Sequence, residues 1–279
     1  MAYELQSRGC WKWGNHTFRD EHCGPAEGAS LMQYVPMPVR LDPSIGFFFL
    51  EDFHNFPSTK AAQHEHWAVT EDDGTGGTNA VQDGGGGWYR HYCDGDDEDE
   101  AYVHSNHEVF KLQAGKHLWW EARVKLTEVG GTSANFIVGL SENVGADHMR
   151  DAGAGPPVNY DGICWYKVDG TMSLSFETSL GAAQVTRAAV LPHVSAHVYR
   201  LGAWCFPLTA TTFTVYPWYY DETAAAAAGP QLGTAVGVPT TLTLTAHGEM
   251  EAFFGVKNGA GGEQEEYIEI DYFWVAQQR

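Results

Sequence analysis

The run His117-Leu118-Trp119-Trp120-Glu121-Ala122-Arg123-Val124-Lys125-Leu126 decides the fold. Leu118, Trp120, Ala122, Val124 and Leu126 fall on one side of an extended chain and Trp119, Glu121, Arg123 and Lys125 on the other, because successive strand side chains point to opposite faces. A helix would scatter both sets around its surface. The run therefore reads as a half-buried strand. Outward toward the N-terminus lie GFFFLEDF (46–53), HEHWAVTED (64–72) and the Gly-rich DDGTGGTNAVQDGGGGWYRHY (72–92), the last a hairpin or loop. Outward toward the C-terminus come SANFIVGLSE (133–142), DGICWYKVDG (161–170), MSLSFET (172–178), HVYRLGAWCF (197–206), TTFTVYPWYY (211–220), TTLTLTAH (240–247), MEAFFGVKNG (250–259) and EYIEIDYFWVAQQ (266–278). Gly, Pro, Asn and Asp separate them, as turns require.

Strands joined by turns, with no alternation of strand and helix, imply an all-β antiparallel sandwich of two sheets packed face to face. Ten Trp and 32 Gly suit that architecture, the rings filling the space between sheets and the glycines turning the chain. The helix-forming run DETAAAAAG (221–229), with Ala224 to Ala228 at its centre, reads as a short surface piece between two strands. Residues 1–45 differ: Trp11, Trp13, Tyr34, Pro36, Pro38 and Pro43 punctuate a stretch without a sustained period. They read as an extended N-terminal arm that lies on its own domain or on a partner, with the sandwich occupying 46–279.

Acidic residues outnumber basic ones 36 to 16, a net charge of −20 that repels nucleic acid and anionic lipid and favours solubility. Charged residues are 19% of the chain, below the roughly 25% of ordinary soluble domains, which suits a protein packed against neighbours. The start MAYELQSRGCWKWGNH holds no apolar run of signal-peptide length, so a product made in the cytoplasm is expected. Cys10, Cys23, Cys93, Cys164 and Cys205 are odd in number and include no C-x-x-C, which reads as reduced thiols, with Cys164 and Cys205 in apolar strands.

FFFLEDFHNF (47–56), HLWWEARVKLTEV (117–129), NFIVGLSE (135–142), YDGICWYKVDG (160–170) and EYIEIDYFWV (266–275) together resemble the concanavalin A-like jelly roll of laminin-G-type and lectin modules. More narrowly they are similar to tailed-bacteriophage virion proteins that carry this module. Glu121-Ala122-Arg123-Val124, Gly139-Leu140-Ser141, Tyr160-Asp161-Gly162 and Lys167-Val168-Asp169-Gly170 carry the likeness. The resemblance implies a jelly roll and a non-enzymatic capsid decoration or cement protein on the virion exterior. It also implies a homotrimer contacting the major capsid protein shell. The likeness runs from about Phe47 to the C-terminus and leaves the arm unexplained; there Trp11, Trp13 and Tyr34 are read as capsid-contact residues because their rings can bury large apolar area at a seam. The alternative is a lectin-like module that binds a surface glycan.

Some proteins of this fold are glucanases with E-x-D-x-x-E on one strand. Glu269 and Asp271 supply the first two members, but Trp274 occupies the third, so two-carboxylate hydrolysis is not assembled there. Ile268, Ile270, Tyr272 and Trp274 are expected to face the core, with Glu269 and Asp271 solvated. His64 and His66 share a strand face and, with His54, are candidates for starting a metal site, as are Cys10, His16, His22 and Cys23 in the arm. The acidic run Asp94–Glu100 has hard oxygen ligands suited to calcium but lacks the register of an EF-hand. No cofactor or catalytic residue is assigned, and each metal candidate reads more simply as surface chemistry.

Overall fold

The computed structural model describes residues 4–7, 10–13, 16–19, 30–54, 56, 66–71, 79–82, 87–93, 96–129, 131–224, 240–243, 248–259 and 266–279. Two antiparallel sheets form the sandwich. In the eight-stranded sheet the order is β16 (Thr240–Thr243), β15 (Thr212–Asp221), β14 (Val198–Pro207), β9 (Leu118–Thr127), β18 (Tyr267–Gln278), β7 (Trp88–Tyr92) and β6 (Ala80–Gln82), with β4 (Gly46–Glu51) pairing β18 as well. In the seven-stranded sheet it is β13 (Ala183–Pro192), β12 (Ser173–Leu180), β11 (Gly162–Lys167), β10 (Ala134–Ser141), β17 (Glu251–Asn258), β8 (Glu100–Ser105) and β5 (Trp67–Glu71). A separate three-stranded sheet is made by β1 (Glu4–Ser7), β2 (Cys10–Trp13) and β3 (His16–Arg19).

The alternation in β9 is as expected: Leu118, Trp120, Ala122, Val124 and Leu126 all enter the core between the sheets. They meet Phe136, Val138 and Leu140 of β10, Trp165 of β11 and Phe254 and Val256 of β17. Strands β8 and β13 are additions to the expected set, as are β1, β2 and β3, which lie within the stretch read as an extended arm. The Trp165 indole donates to Gly202 O across the core at 2.9 Å, so even this large ring leaves no unpaired polar atom. At one end of the sandwich Glu128, Lys167 and His193 are wholly buried together. Lys167 Nζ and His193 Nε2 stand 2.7 and 3.0 Å from the carboxylate, binding the end of β9 to strands of the opposite sheet.

Expectation and structure part company in β18. Ile270 pairs with Val124 but Tyr272 pairs with Arg123, so Asp271 is an extra residue, a β-bulge. Before the bulge Ile268 and Ile270 face the core; after it Phe273 and Val275 do. Tyr272 and Trp274, expected inward, instead lie on the outer face of the eight-stranded sheet. Glu269 is only 2% exposed rather than solvated.

Each outer face is covered in part, and a buried carboxylate holds each covering. On the eight-stranded sheet a 3-10 turn (Leu31–Tyr34) and α1 (Met37–Leu41) place Leu31, Val35 and Val39 over Trp119, Trp218 and Trp274. This strap belongs to the segment read as an arm, and it lies on its own domain. It is fastened at Glu121, which is fully buried and accepts from Leu31 N (2.7 Å), Ser30 Oγ (2.8 Å), Tyr272 OH (2.8 Å) and Trp274 Nε1 (3.4 Å). Burial pushes its pKa up; the Leu31, Tyr272 and Ser30 bonds pull the other way.

On the seven-stranded sheet the loop between β10 and β11 brings Val144, Met149 and Tyr160 onto Tyr102, Ile137, Cys164 and Phe253. Tyr102 lies flat over its neighbour strand because Gly255 has no side chain: a Cβ there would stand 2.1 Å from the Tyr102 ring. The loop is fastened by Met149 N donating to Tyr102 OH (2.8 Å), Val144 N to Glu251 (2.6 Å) and Asp147 N to Glu100. Lys257 is buried beside Glu100 at 3.2 Å and reaches Asp151 at 2.6 Å and Asp147 at 3.4 Å.

Two predictions follow from these fastenings. A truncation starting at residue 30 keeps the strap, whereas one starting at residue 42 removes three buried apolar side chains worth about 1.5–3 kcal/mol each. The second truncation also strips Glu121 of two donors, so its urea midpoint falls far below the first; equal midpoints would show that the strap contributes nothing. Replacing Lys257 with Met leaves Glu100 buried without its cation, and a loss of about 3–5 kcal/mol is expected in denaturant titrations. An unchanged midpoint would mean Glu100 is held neutral.

Candidate surface site on the eight-stranded sheet

Beyond the strap the outer face of the eight-stranded sheet carries a belt of aromatic and charged side chains. Alternation places them: Trp88 and Arg90 project from β7, Arg123 and Lys125 from β9, Arg200 and Tyr220 from β14 and β15, and Tyr267 and Glu269 from β18. The ion pairs are reciprocal. Arg123 donates to Glu222 at 2.8 Å and to Asp271 at 2.7 Å, and Arg200 also reaches Glu222. Arg90 donates to Glu269 Oε1 through Nε (3.0 Å) and NH2 (2.8 Å), while Lys125 approaches Oε2 of the same carboxylate. The rings are stacked into this lattice: the Arg123 guanidinium carbon is 4.7 Å from the Trp88 centroid, and that of Arg90 is 4.3 Å from the Tyr267 centroid.

These contacts set the electrostatics. Burial raises the pKa of Glu222, but Arg123 and Arg200 outweigh it and hold the carboxyl below its ordinary value. Lys125 is held below the ordinary lysine value, first by burial and then by the Arg90 charge. Arg123 and Arg90 each cover a face of their ring, so the belt presents the remaining, partly exposed surface of Trp88 and Tyr267 beside charged donors and acceptors, a combination that suits a ligand with an apolar side and polar edges. The belt was missed in the sequence because only Arg123 and Lys125 share an obvious alternating strand; Trp88 and Arg90 sat in a Gly-rich stretch read as hairpin or loop.

The sequence candidates end up elsewhere. Glu269 and Asp271 are each neutralised by Arg or Lys, and Trp274 lies beneath the strap, so no hydrolytic carboxylate pair arises on this strand. His54 is exposed and paired with Asp52 at 3.0 Å, His66 is exposed, and His64 lies outside the described residues. In the acidic run Glu98 and Glu100 converge on Lys257, so an ammonium of the chain itself supplies the cation these carboxylates draw in. Burial would lower the Lys257 pKa, but the bonds to Asp151 and Glu100 raise it above the ordinary value.

Cys10 lies in β2 and His16 in β3, while His22 and Cys23 lie outside the described residues. Among the described residues no group of three or more His, Cys, Asp or Glu is arranged to hold a metal ion. Cys93, Cys164 and Cys205 are buried free thiols whose pKa burial pushes up, so they are inert hydrophobes rather than nucleophiles. Trp11, Trp13 and Tyr34 sit in β2 and the 3-10 turn, and their side chains lie outside the described residues.

Under the loop of the seven-stranded sheet His148 is buried against Phe253, ring centroids 4.8 Å apart, and its Nε2 has no hydrogen-bond partner among the described residues. Burial brings its pKa down to about 3, with His104 adding to the shift, so the ring is neutral at physiological pH. His104 itself bonds Glu251 at 2.8 Å and Thr70 at 3.1 Å. This part of the face is polar but lies beneath the covering loop, whereas the belt carries partly exposed polar and aromatic side chains.

No protein-family model matches the chain, and no curated protein matches it. Solved structures do. A protein of unknown function from Shewanella oneidensis MR-1 is 12% identical with a TM-score of 0.50, over 84% of this chain and 87% of that one. Peanut lectin, solved with a 9mer peptide, is 10% identical with a TM-score of 0.50, over 84% of this chain and 97% of the lectin. An endo-1,3-β-glucanase from Streptomyces sioyaensis is 12% identical with a TM-score of 0.50, over 87% of this chain and 99% of the enzyme. At such identities the likeness speaks for the fold alone. The chain has the concanavalin A-like jelly-roll fold, an antiparallel sandwich of two sheets.

Proposed function

We propose that the protein is a carbohydrate-binding, lectin-like module that engages glycan through the belt on its eight-stranded sheet. The observation that carries this is the lattice of Trp88 and Tyr267 with Arg90, Arg123 and Lys125. Each ring stacks against a guanidinium that carboxylates hold in place, and the same cations stand at the ring edges where a sugar hydroxyl or acid would meet them. Sugar rings have an apolar face and a polar rim, so they stack on aromatic planes while their hydroxyls bond at the edge. The fold shared with peanut lectin supports the reading. So do the paired carboxylates on β18, which leave Glu269 and Asp271 occupied as ion-pair partners.

A place for this module on a phage particle, as trimer or cement, is a separate proposal that rests on the resemblance of the sequence segments. Co-purification with intact particles and the mass of the free protein test it, and the glycan test does not depend on either.

Retention on immobilised polysaccharides, neutral and acidic, followed by a glycan array, is the direct test. Trp88→Ala should lower affinity by about tenfold, the loss of roughly 1–1.5 kcal/mol of ring stacking, with the melting temperature checked for an intact fold. A protein retained by no polysaccharide, or a Trp88→Ala variant that binds as well as the parent, overturns the assignment.

A further inference from the structure

Arg90 and Lys125 reach one carboxylate, Glu269, from the two strands that flank β18. Glu269 is 2% exposed and therefore fixed, whereas Arg90 and Lys125 are 32% and 28% exposed at their side chains. In the neighbouring set, among the described residues, Arg123 and Arg200 meet Glu222 and Asp271. At Glu269, among the described residues, two cations share one carboxylate, one positive charge more than negative on a chain of net charge −20. Lys125 has its pKa lowered by burial and by the Arg90 charge while it touches Glu269. Beside it the Trp88 centroid lies 5.9 Å from Lys125 Nζ, and Tyr267 stacks under Arg90.

The geometry points to a sugar that carries a carboxylate, a uronic or sialic acid residue, as the ligand of this face, its acid on Arg90 and Lys125 and its ring against Trp88 and Tyr267. The inference rests on the carbohydrate reading above and narrows it. One excess charge matches one carboxylate. A dense polyanion is disfavoured, because the acidic chain repels a run of like charges at long range. A single contact pair survives that repulsion, since distant charges are screened beyond about 8 Å at physiological ionic strength.

Calorimetry on the full chain tests this with paired probes: 3′-sialyllactose against lactose, and trigalacturonate against maltotriose. At least one acidic probe should bind about tenfold more tightly than its neutral counterpart, by the strength of a charge-assisted bond, and the gap should narrow with added salt. Lys125→Gln should close the gap, and Arg90→Gln provides a second variant should the first fail to fold. Lys111→Gln, which breaks an exposed pair with Glu249 away from the belt, should change nothing. Equal binding of acidic and neutral probes, or a preference that survives both belt variants, overturns the acidic assignment. Retention of neutral sugars alone leaves the carbohydrate reading standing and removes this one; retention of no sugar removes both.

Discussion

A carboxylate cut off from water must be ringed by donors, and the outer face of the eight-stranded sheet is organised around that demand at Glu121. Its four donors come from two places, Ser30 and Leu31 of the strap and Tyr272 and Trp274 of β18. Removing either group strands a buried polar atom at a cost of about 1–3 kcal/mol, and more if the charge stays. The strap is thus locked by electrostatics as well as by the apolar contacts of Leu31, Val35 and Val39. Glu100 does the same for the covering loop of the other sheet, with Tyr102, Lys257 and the Asp147 amide as partners.

That arrangement depends on one extra residue. Without the bulge at Asp271, strict alternation in β18 would send Tyr272 and Trp274 inward after Ile270, and Glu121 would face outward with half its donors missing. The bulge also frees Asp271 to meet Arg123, which in turn holds its guanidinium over Trp88. One backbone irregularity therefore serves the core, the latch of the strap and the belt.

The alternating run in β9 was legible because all five inward residues are apolar and the outward ones are mostly polar. Strand β8 was hidden because Glu100 opens it directly after an acidic run, and nothing local says that Lys257 waits opposite. Strand β13 was hidden for another reason: AQVTRAAVLP is an edge strand largely exposed on both faces, so its sequence has no apolar side to detect. Outward charge in β9 and β18 suggested solvent, yet Glu121 and Glu269 are buried. Their partners lie 90 to 179 positions away in sequence, at Leu31 and Arg90, beyond any local pattern. The bulge left no mark either, since Asp in an alternating strand is equally compatible with plain exposure.

Stability does not account for the belt. Its partly exposed ion pairs, those of Arg123 and Arg200, contribute about 0–1 kcal/mol each and their stems add modest packing, so only the neutralising of buried Glu269 by Arg90 and Lys125 is a structural necessity. In a chain with 16 basic residues, four of them, Arg90, Arg123, Lys125 and Arg200, gather on one sheet face. The same sheet shows the contrast directly: beneath the strap the outer face is closed by apolar side chains over a single fully bonded carboxylate, while a few residues along the same strands it carries, among the described residues, partly exposed charged and aromatic side chains. That contrast is what the carbohydrate proposal rests on: charge and rings gathered, partly exposed, on a sheet face that elsewhere buries apolar side chains.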